Sequence, residues 1–361
     1  MTHSLSDIRS LFPAIALCCF PVLLVVFGPS TSQTVKTFSL SDKFPSKMQS
    51  GLKIPSLVLG TMGISQPSAI RSAIAAGYRA FDCAPVYFNE MLVGDALAEE
   101  LQSDSGVRRE EFFVTSKLAS PFHRSEHVET ALRKTLTDLR LNYLDLYLIH
   151  WPVAFKYVNI NPNIRGWENE DIDDSDDGKN IDPNVSVHET WKAMEELVDK
   201  GLVRYIGVSN FPVSILHELL SGCRIQPAVN QVEVHPYLQQ QKLINYCQMR
   251  GVRVQAYSPL GTSGYKEKWE PSVVDDPALH KIAMEKGVTV AQLCLVWAMQ
   301  RNTVVIAKSS SASRQKENIQ ALHLPLQLSA EDMEHISKLE RRYRFFRPEE
   351  WWGDMSMAVF D

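Results

Sequence analysis

The chain has 361 residues, of which 45% are hydrophobic and 22% are charged, and its formal net charge is −5. This length allows one large domain or two of medium size, and the composition is ordinary for a globular protein. The negative balance, without a basic tract, argues against nucleic acid as a partner. The six cysteines form neither a CxxC pair nor a metal-ligand spacing, so we expect free thiols in a reducing compartment and no metal site.

The first element in chain order is an apolar segment, residues 11–28, without a charged side chain. A helix of this length would reach about 27 Å, enough for a thin bilayer, although Pro13 and Pro21 weaken it. The first ten residues lack the basic start of a secretory signal, and the lysines after the segment favour a cytoplasmic body. We predict an N-terminal extension over residues 1–43, a possible anchor or signal. The sequence leaves open whether residues 1–47 are retained in the mature protein.

From residue 57 to about residue 319, short β-branched apolar runs alternate with helical patterns. This alternation predicts βαβ units around a parallel sheet. Eight runs are predicted as strands: 56–61, 79–82, 112–116, 144–150, 203–209, 227–231, 252–258 and 303–308. Eight repeats favour a closed α/β fold, the (β/α)8 TIM barrel, over a doubly wound sheet, which would carry GxGxxG if it bound a dinucleotide. Since the chain lacks GxGxxG and a P-loop, we predict a single barrel domain over residues 44–361.

Two segments fall outside the repeat. Residues 163–184 interrupt the fourth strand–helix connection and are rich in acids, but their spacing does not fit a calcium loop. We interpret them as a solvated surface loop. The last segment, residues 343–361, carries six bulky aromatic rings. So many rings are more than solvent favours, so we predict an aromatic C-terminal loop that packs onto the barrel.

Polar side chains stand at the ends of three neighbouring predicted strands. Asp82 ends the second strand, Lys117 follows the third within a residue, and His150 ends the fourth; Tyr87 comes five residues after Asp82. Taken singly, His150 could be a core histidine, Lys117 a surface charge and Tyr87 simple packing. Active sites of α/β barrels lie at the C-terminal ends of the strands, so the shared location favours a functional role for all four.

These residue types suggest a chemistry. A lysine near a phenol stabilises the phenolate and lowers the pKa of Tyr87, while Asp82 keeps Lys117 in the ammonium form. Tyr87 then becomes a proton donor near neutral pH, and His150 can orient a carbonyl oxygen toward it. Protonation of an oxygen whose carbon receives hydride requires a cofactor that supplies the hydride.

Six motifs carry a resemblance to a known family: GYRAFDCAPVYFNEMLVGDAL, LDLYLIHWP, GLVRYIGVSNF, PAVNQVEVHPYLQQ, VQAYSPLG and VVIAKSSSASRQKEN. From about residue 48 to the aromatic tail, the chain resembles the aldo-keto reductases, in particular the NADPH-dependent aldehyde and aldose reductases. The resemblance implies a (β/α)8 barrel that binds NADPH/NADP+ and reduces aldehydes or ketones to alcohols, as an NADP-dependent alcohol dehydrogenase does. It implies Tyr87 as general acid, Lys117 and Asp82 as the pair that tunes it, and His150 as the carbonyl orienter.

The resemblance also implies a cofactor site. It places Ser209, Asn210 and Gln231 around the carboxamide, Tyr257 on the nicotinamide ring, Thr61 and Asp82 beside the ribose, and Ser258 and Leu260 at the pyrophosphate. After the last strand it places Lys308, Ser309, Arg314, Glu317 and Asn318 near the adenosine. Two cations where the 2′-phosphate would lie favour NADPH over NADH.

The implied substrate pocket contains His150, Trp151 and Met62. Met62 and Ala119 stand where the family often has tryptophan, so we expect a pocket that is less aromatic on two walls. We therefore do not expect this protein to share the substrate range of the best-studied members. The aromatic tail is expected to supply further walls of the pocket. In addition, Ala307 replaces the proline that commonly precedes the lysine.

A rival of another class is a nucleotide-sensing regulatory subunit of the same fold, as in the potassium-channel β-subunits, which would turn over slowly and hold a stable partner. The apolar segment 11–28 could tether such a subunit to a membrane protein. A barrel hydrolase would need two acids at strand ends, and only Asp82 is evident. We expect instead a monomeric enzyme with a small carbonyl substrate, whose identity and direction of flux are left open.

Overall fold

The computed structural model describes residues 53–163, 165–166, 181–262, 267, 269–348 and 359–360. The chain divides into two units, Met1–Pro45 and Ser46–Asp361. The first unit, with the apolar segment 11–28, lies outside the described residues, as does most of the acid-rich loop. The membrane tether, the surface loop and the domain boundary at residue 44 therefore stay predictions.

Eight parallel strands pair in sequence order and close into a barrel, because β1 pairs with β8. They are β1 (Leu57–Gly60), β2 (Ala80–Asp82), β3 (Phe113–Leu118), β4 (Leu144–Ile149), β5 (Val203–Ser209), β6 (Val229–Glu233), β7 (Arg253–Tyr257) and β8 (Val304–Lys308). Gly60 is paired with Asp82 on one side and with Lys308 on the other, so the strands end at a common level. The predicted (β/α)8 TIM barrel is confirmed.

Helices surround the barrel. Those in the described part of the chain are α1 (Pro67–Ala76), α2 (Glu90–Gln102), α3 (Ser125–Leu139), α4 (Val187–Asp199), α5 (Val213–Gly222), α6 (Gln241–Met249), α7 (Pro277–Lys286), α8 (Val290–Gln300), α9 (Ala312–Gln320) and α10 (Ala330–Ser337). A capping box begins α8, where the side chains of Thr289 and Gln292 each accept from the other residue's backbone N–H. Within the described ranges, no single helix is long and apolar enough to cross a membrane. Helices α7 and α8 reach that length and apolar character only when taken together, and they are bent by 87° relative to each other.

The strand pleat divides the core into two layers. Side chains alternate between the two faces of a strand, so residues two apart share a face. Inside the barrel, Ala80 and Leu148 belong to an apolar cluster with Val58, Leu146, Val229, Val304 and Ile306. Asp82 lies two residues after Ala80, and His150 lies two residues after Leu148, so both follow the inward face to the C-terminal mouth. The other strand face packs against the helices in a larger cluster.

Two of the helices, α2 and α3, approach each other closely. A Cβ atom at Gly94 in α2 would lie 2.5 Å from the carbonyl oxygen of Asp138 and 2.6 Å from Cα of Leu139 in α3. No side chain fits in such a gap, so glycine allows the two helices to touch through their backbones. The contact holds α2 directly against the end of α3.

Glu90, the first residue of α2, is buried in this contact with 2% of its surface exposed. Its carboxyl group accepts hydrogen bonds from the hydroxyl groups of Ser116, at 2.5 Å, and Thr135, at 3.1 Å. Burial raises the pKa of Glu90 to about 8, because desolvation disfavours the carboxylate more than these two hydrogen bonds favour it. Glu90 therefore holds a proton at neutral pH in the folded protein.

This proton links stability to pH. The pKa of Glu90 is raised above its ordinary value of 4.5, so the folded chain keeps a proton that the unfolded chain releases. The stability that this difference contributes is complete below pH 4.5 and is lost as pH rises through 8. Between pH 6 and pH 8 we expect the free energy of unfolding of the wild type to fall by about 2 kcal/mol more than that of Glu90→Gln. Urea denaturation of both proteins at the two pH values measures these free energies of unfolding. An equal change with pH in the wild type and in Glu90→Gln would contradict the prediction.

Candidate active site

The four predicted catalytic residues come together at the C-terminal mouth of the barrel. Asp82 ends β2, Lys117 lies in β3, and His150 directly follows β4. Tyr87 ends a 3-10 turn, Pro85–Tyr87, which turns the chain back over the strand it has just left. Proline at the start of the turn presets the backbone angle for it.

Lys117 is the centre of the group and is fully buried, with 0% of its surface exposed. Its ammonium nitrogen donates to Asp82 Oδ2 at 2.7 Å, to the carbonyl oxygen of Cys83 at 2.9 Å and to the Tyr87 hydroxyl at 3.1 Å. An ammonium group has three donors, so all of them are engaged. The lysine is thereby fixed between the carboxylate and the phenol.

The pKa values of Lys117 and Tyr87 follow from burial and these contacts. Burial lowers the pKa of Lys117, but the charge and hydrogen bonds of Asp82 and Tyr87 outweigh it and raise the pKa overall. Burial raises the pKa of Tyr87 to about 12; Lys117 lowers it as expected, and Asp82 raises it further. The expected lowering of the phenol pKa is therefore wrong in its net direction, since desolvation exceeds the effect of the lysine.

His150 lies beside the Tyr87 phenol at the mouth of the barrel. Its ring is edge-on to that of Tyr87, with 6.1 Å between the ring centroids. Its backbone carbonyl accepts a hydrogen bond from the Asn210 amide at 3.0 Å. Burial lowers the pKa of His150 well below its usual range, and the charges of Lys117 and His123 lower it further. The imidazole is therefore neutral at physiological pH.

Asp82 is also held from the far side of the barrel. Gln231 in β6 donates from Nε2 to Asp82 Oδ1 at 2.7 Å, and the Thr61 hydroxyl donates to the Asp82 carbonyl at 2.8 Å. Each carboxylate oxygen of Asp82 thus has a donor, one from Lys117 and one from Gln231. These bonds fix the carboxylate against rotation.

The residues predicted around the nicotinamide form a connected group at the ends of β5, β6 and β7. The Tyr257 hydroxyl donates to Asn210 Oδ1 at 2.9 Å, and the Ser209 hydroxyl donates to the Gln231 carbonyl at 2.9 Å. Asn210 has a φ of 64°, in the left-handed region that asparagine tolerates better than most residues. This turn directs the asparagine amide toward His150 and Tyr257.

One cavity of about 530 Å³ opens above these residues. Sixteen of the predicted site residues line it: Met62, Asp82, Tyr87, His150, Trp151, Ser209, Asn210, Gln231, Tyr257, Ser258, Leu260, Lys308, Ser309, Arg314, Glu317 and Asn318. Lys117 and Thr61 are absent from the lining, and both are fully buried beneath Asp82 and Tyr87. Of the two positions expected to lack tryptophan, Met62 lines the cavity with 38% of its surface exposed, whereas Ala119 is buried and does not.

The cavity extends to the end of β8 and the start of α9. Lys308 is the last residue of β8, and Arg314 lies in the first turns of α9. Both cations line the cavity together with Ser309 and Asn318. Arg314 is exposed and lines the cavity, so its guanidinium can reach an anion there.

Several lining residues were not predicted from the sequence: Gly60, Val86, Pro259, Gly261, Thr262, Ala291, Ile306, Ala307 and Ser310. Ile306 could have been found, since it lies two residues before Lys308 on the same strand face. Phe346 also lines the cavity, and it belongs to the aromatic tail that was expected to supply further walls. Among the described side chains, no group of three or more His, Cys, Asp or Glu residues is arranged to hold a metal ion.

Comparison with known proteins agrees with this geometry. A family model described as "Aldo/keto reductase family" matches residues 56–341. Aldo-keto reductase family 1 member A1 from Cricetulus griseus is 43% identical over 307 residues, covering 83% of this chain and 91% of the relative. The Homo sapiens protein of the same name is 42% identical over 312 residues, covering 83% and 90%. The solved structure of aldose reductase from Schistosoma japonicum has a TM-score of 0.72 and 38% identity, and the match covers 83% of this chain and 93% of that one.

The fold and the matches define a barrel oxidoreductase. The chain belongs to the aldo/keto reductase family. Its relatives support the reduction of carbonyl compounds as its general activity.

Proposed function

We propose that the protein reduces an aldehyde or ketone to the alcohol with NADPH, and that Tyr87 is the general acid. The observation that supports this most directly is the contact of the buried Lys117 ammonium with both the Tyr87 hydroxyl and the Asp82 carboxylate. This contact gives the phenol a fixed direction and a nearby positive charge. Tyr87 and Asp82 also line the cavity, where a substrate can reach the phenol.

Tyr87 donates its proton to the carbonyl oxygen of the substrate. Its raised pKa of about 12 keeps the hydroxyl protonated at neutral pH, which is the form that reduction requires. As negative charge develops on the substrate oxygen, the proton moves to it and the Tyr87 oxygen becomes phenolate. The Lys117 ammonium, 3.1 Å away, stabilises that phenolate.

His150 orients the carbonyl group. A neutral imidazole has one N–H donor, and the lowered pKa of His150 keeps it neutral. A carbonyl oxygen placed between the His150 and Tyr87 rings can accept one hydrogen bond from each. Trp151 and Met62, which also line the cavity, would contact the rest of the substrate.

The donor set along the cavity fits NADPH, which supplies the hydride when bound. Ser209, Asn210 and Gln231 offer hydroxyl and amide groups beside Tyr87 for a carboxamide, and Tyr257 offers a ring face. At the other end, Lys308 and Arg314 suit the dianionic 2′-phosphate. Ser258, Leu260, Ser309, Glu317 and Asn318 would complete the site. Thr61, which is buried outside the lining, would act only through its hydrogen bond to the Asp82 carbonyl.

A steady-state assay of NADPH oxidation with a panel of small and aromatic aldehydes tests the function. We expect substrate-dependent loss of NADPH absorbance with a turnover on the order of 1 to 10 per second. Tight binding of NADPH without turnover of any carbonyl would contradict the proposal and would favour the regulatory subunit. Titration of protein fluorescence with NADPH separates that outcome from failure to bind the cofactor.

A further inference from the structure

Residues 340–348, which lead into the C-terminal tail and form its described start, are hydrogen-bonded to the segment between β6 and α6. The Glu340 carboxylate accepts from the backbone N–H of Gln239 at 2.8 Å. The backbone N–H groups of Arg341 and Tyr343 both donate to the carbonyl oxygen of Tyr237 at 3.1 Å. The tail therefore runs along this segment toward the mouth of the barrel.

A further attachment point is a side chain, the carboxylate of Glu233, while Tyr343 and Arg347 also bond to Glu270. Glu233 ends β6 and is fully buried, with 0% of its surface exposed. Its Oε1 accepts from the backbone N–H of Phe345 at 2.8 Å, and its Oε2 accepts from that of Phe346 at 3.1 Å. Nε2 of His235 lies 2.9 Å from Oε1, and the Arg344 guanidinium lies 3.9 Å from Oε2. Two successive amides are thus held by one acidic group.

The backbone that Glu233 clamps, at Phe345 and Phe346, forms part of the substrate end of the cavity. Phe346 lines the cavity and contacts Tyr257 edge-on, with 5.5 Å between the ring centroids. The Arg344 guanidinium lies 3.6 Å above the ring of Phe360, which in turn lies 6.0 Å from the ring of Trp151. Trp151 is itself a lining residue. The position of two aromatic walls therefore depends on the backbone that Glu233 holds.

We propose that Glu233 is a positioning residue that sets selectivity among carbonyl substrates by fixing Phe346 and, through Arg344 and Phe360, Trp151. Glu233 does not line the cavity, so it acts only through the tail. The inference rests on the proposed carbonyl reduction. It concerns the hydrocarbon part of the substrate and leaves the chemistry at Tyr87 unchanged.

A carboxylate suits this role because both of its oxygens are acceptors. In Glu233→Gln, one oxygen becomes an NH2 group, which cannot accept from a backbone N–H. One of the two amides, at Phe345 or Phe346, then loses its partner in a buried place, so the tail must move to find another. The side chain keeps its size, and the barrel strands keep their pairing.

The test measures steady-state kinetics of Glu233→Gln with propanal and with 4-nitrobenzaldehyde. We expect KM for the aromatic aldehyde to rise about tenfold, because apolar walls of a pocket discriminate by about this factor. KM for propanal and kcat for both aldehydes should change less than about twofold, since these walls contribute little to a small substrate or to proton transfer. Should this variant fail to fold, Glu233→Asp, which draws the carboxylate back by one methylene, replaces it with the same expected direction.

Asp145→Asn is the matched control. Asp145 is also a buried acid on a strand, and it accepts from the backbone N–H of Val114 at 2.9 Å and pairs with Arg109 and Arg204. It lies near the start of β4, at the opposite end of the barrel from Tyr87. We expect Asp145→Asn to lose stability but to keep the wild-type ratio of the two KM values.

Hydrogen exchange of the peptide 341–348 tests the clamp without catalysis. Exchange should be at least tenfold faster in Glu233→Gln than in the wild type and unchanged in Asp145→Asn. A wild-type exchange rate in Glu233→Gln, or an equal rise of both KM values, would overturn the inference. A wild type that turns over neither aldehyde would contradict the proposed function, while the exchange result would still decide the clamp.

Discussion

Replacing Tyr87 with phenylalanine should lower kcat for carbonyl reduction by about 10²- to 10⁴-fold, the usual contribution of a positioned general acid. The dissociation constant for NADPH should change less than about twofold, because in the proposed mechanism the hydroxyl contacts the substrate oxygen and not the cofactor. Phenylalanine keeps the ring, whose centroid lies 4.8 Å from the Lys117 ammonium, so the local packing is retained. Steady-state kinetics and fluorescence titration with NADPH measure the two quantities.

Tyr157→Phe is the control for loss of a tyrosine hydroxyl. Tyr157 is 40% exposed, and its hydroxyl donates to Asn159 Oδ1 at 3.3 Å outside the cavity lining. We expect wild-type kinetics from it. If Tyr87→Phe also kept wild-type turnover, Tyr87 could not be the proton donor, and the chemistry proposed for the Lys117 contact would have to be abandoned.

The double variant Lys308→Ala/Arg314→Ala should weaken binding of NADPH by about 100-fold, because each charge-assisted hydrogen bond to the 2′-phosphate contributes about 1.5 kcal/mol. The dissociation constant for NADH should rise less than about threefold, since NADH presents no phosphate at that position. The ratio of the two constants, from fluorescence titration at one ionic strength, is the quantity to compare.

Lys316→Ala provides the matched control for the loss of a cation. Lys316 lies in α9 with Arg314 and is exposed, but it does not line the cavity. Its removal should leave both constants at their wild-type values. Equal weakening of NADPH and NADH in the double variant would show that the two cations do not select for the 2′-phosphate.

The barrel was predictable because its signals are local. A buried strand of a parallel barrel needs a short run of β-branched apolar residues, and each run was visible between helical patterns. The predicted strand 203–209 matches β5 at both ends, while the predicted strand 227–231 lies two residues early on β6. β6 begins only at Val229, although the backbone of Ala228 already bonds to Ile206 and Arg253, and at the other end Val232 and Glu233 continue the pairing with β7.

The convergence of Asp82, Lys117 and His150 was predictable from fold alone, since strand ends of a barrel meet at one mouth. The direction in which the pKa of Tyr87 shifts could not be predicted. It depends on how far burial removes water from the phenol, and the spacing of residues along the sequence does not show that. The clamp by Glu233 was equally hidden. Glu233 and Phe345 are 112 positions apart. The sequence around a glutamate at a strand end does not indicate which distant backbone N–H groups its carboxylate will bind.

The hydrogen bond between Gln231 and Asp82 joins side chains 149 positions apart. During synthesis, Asp82 is therefore made long before Gln231, whose amide holds its carboxylate. In the same way, β1 can pair with β8 and close the barrel only after β8 has been made. A chain that contains Tyr87, Lys117 and His150 but ends before β6 lacks this donor and cannot close the barrel. The contacts of Asp82 are thus completed late in synthesis, and we expect truncated chains that end before β6 to reduce no carbonyl compound even where their helices and strands have formed.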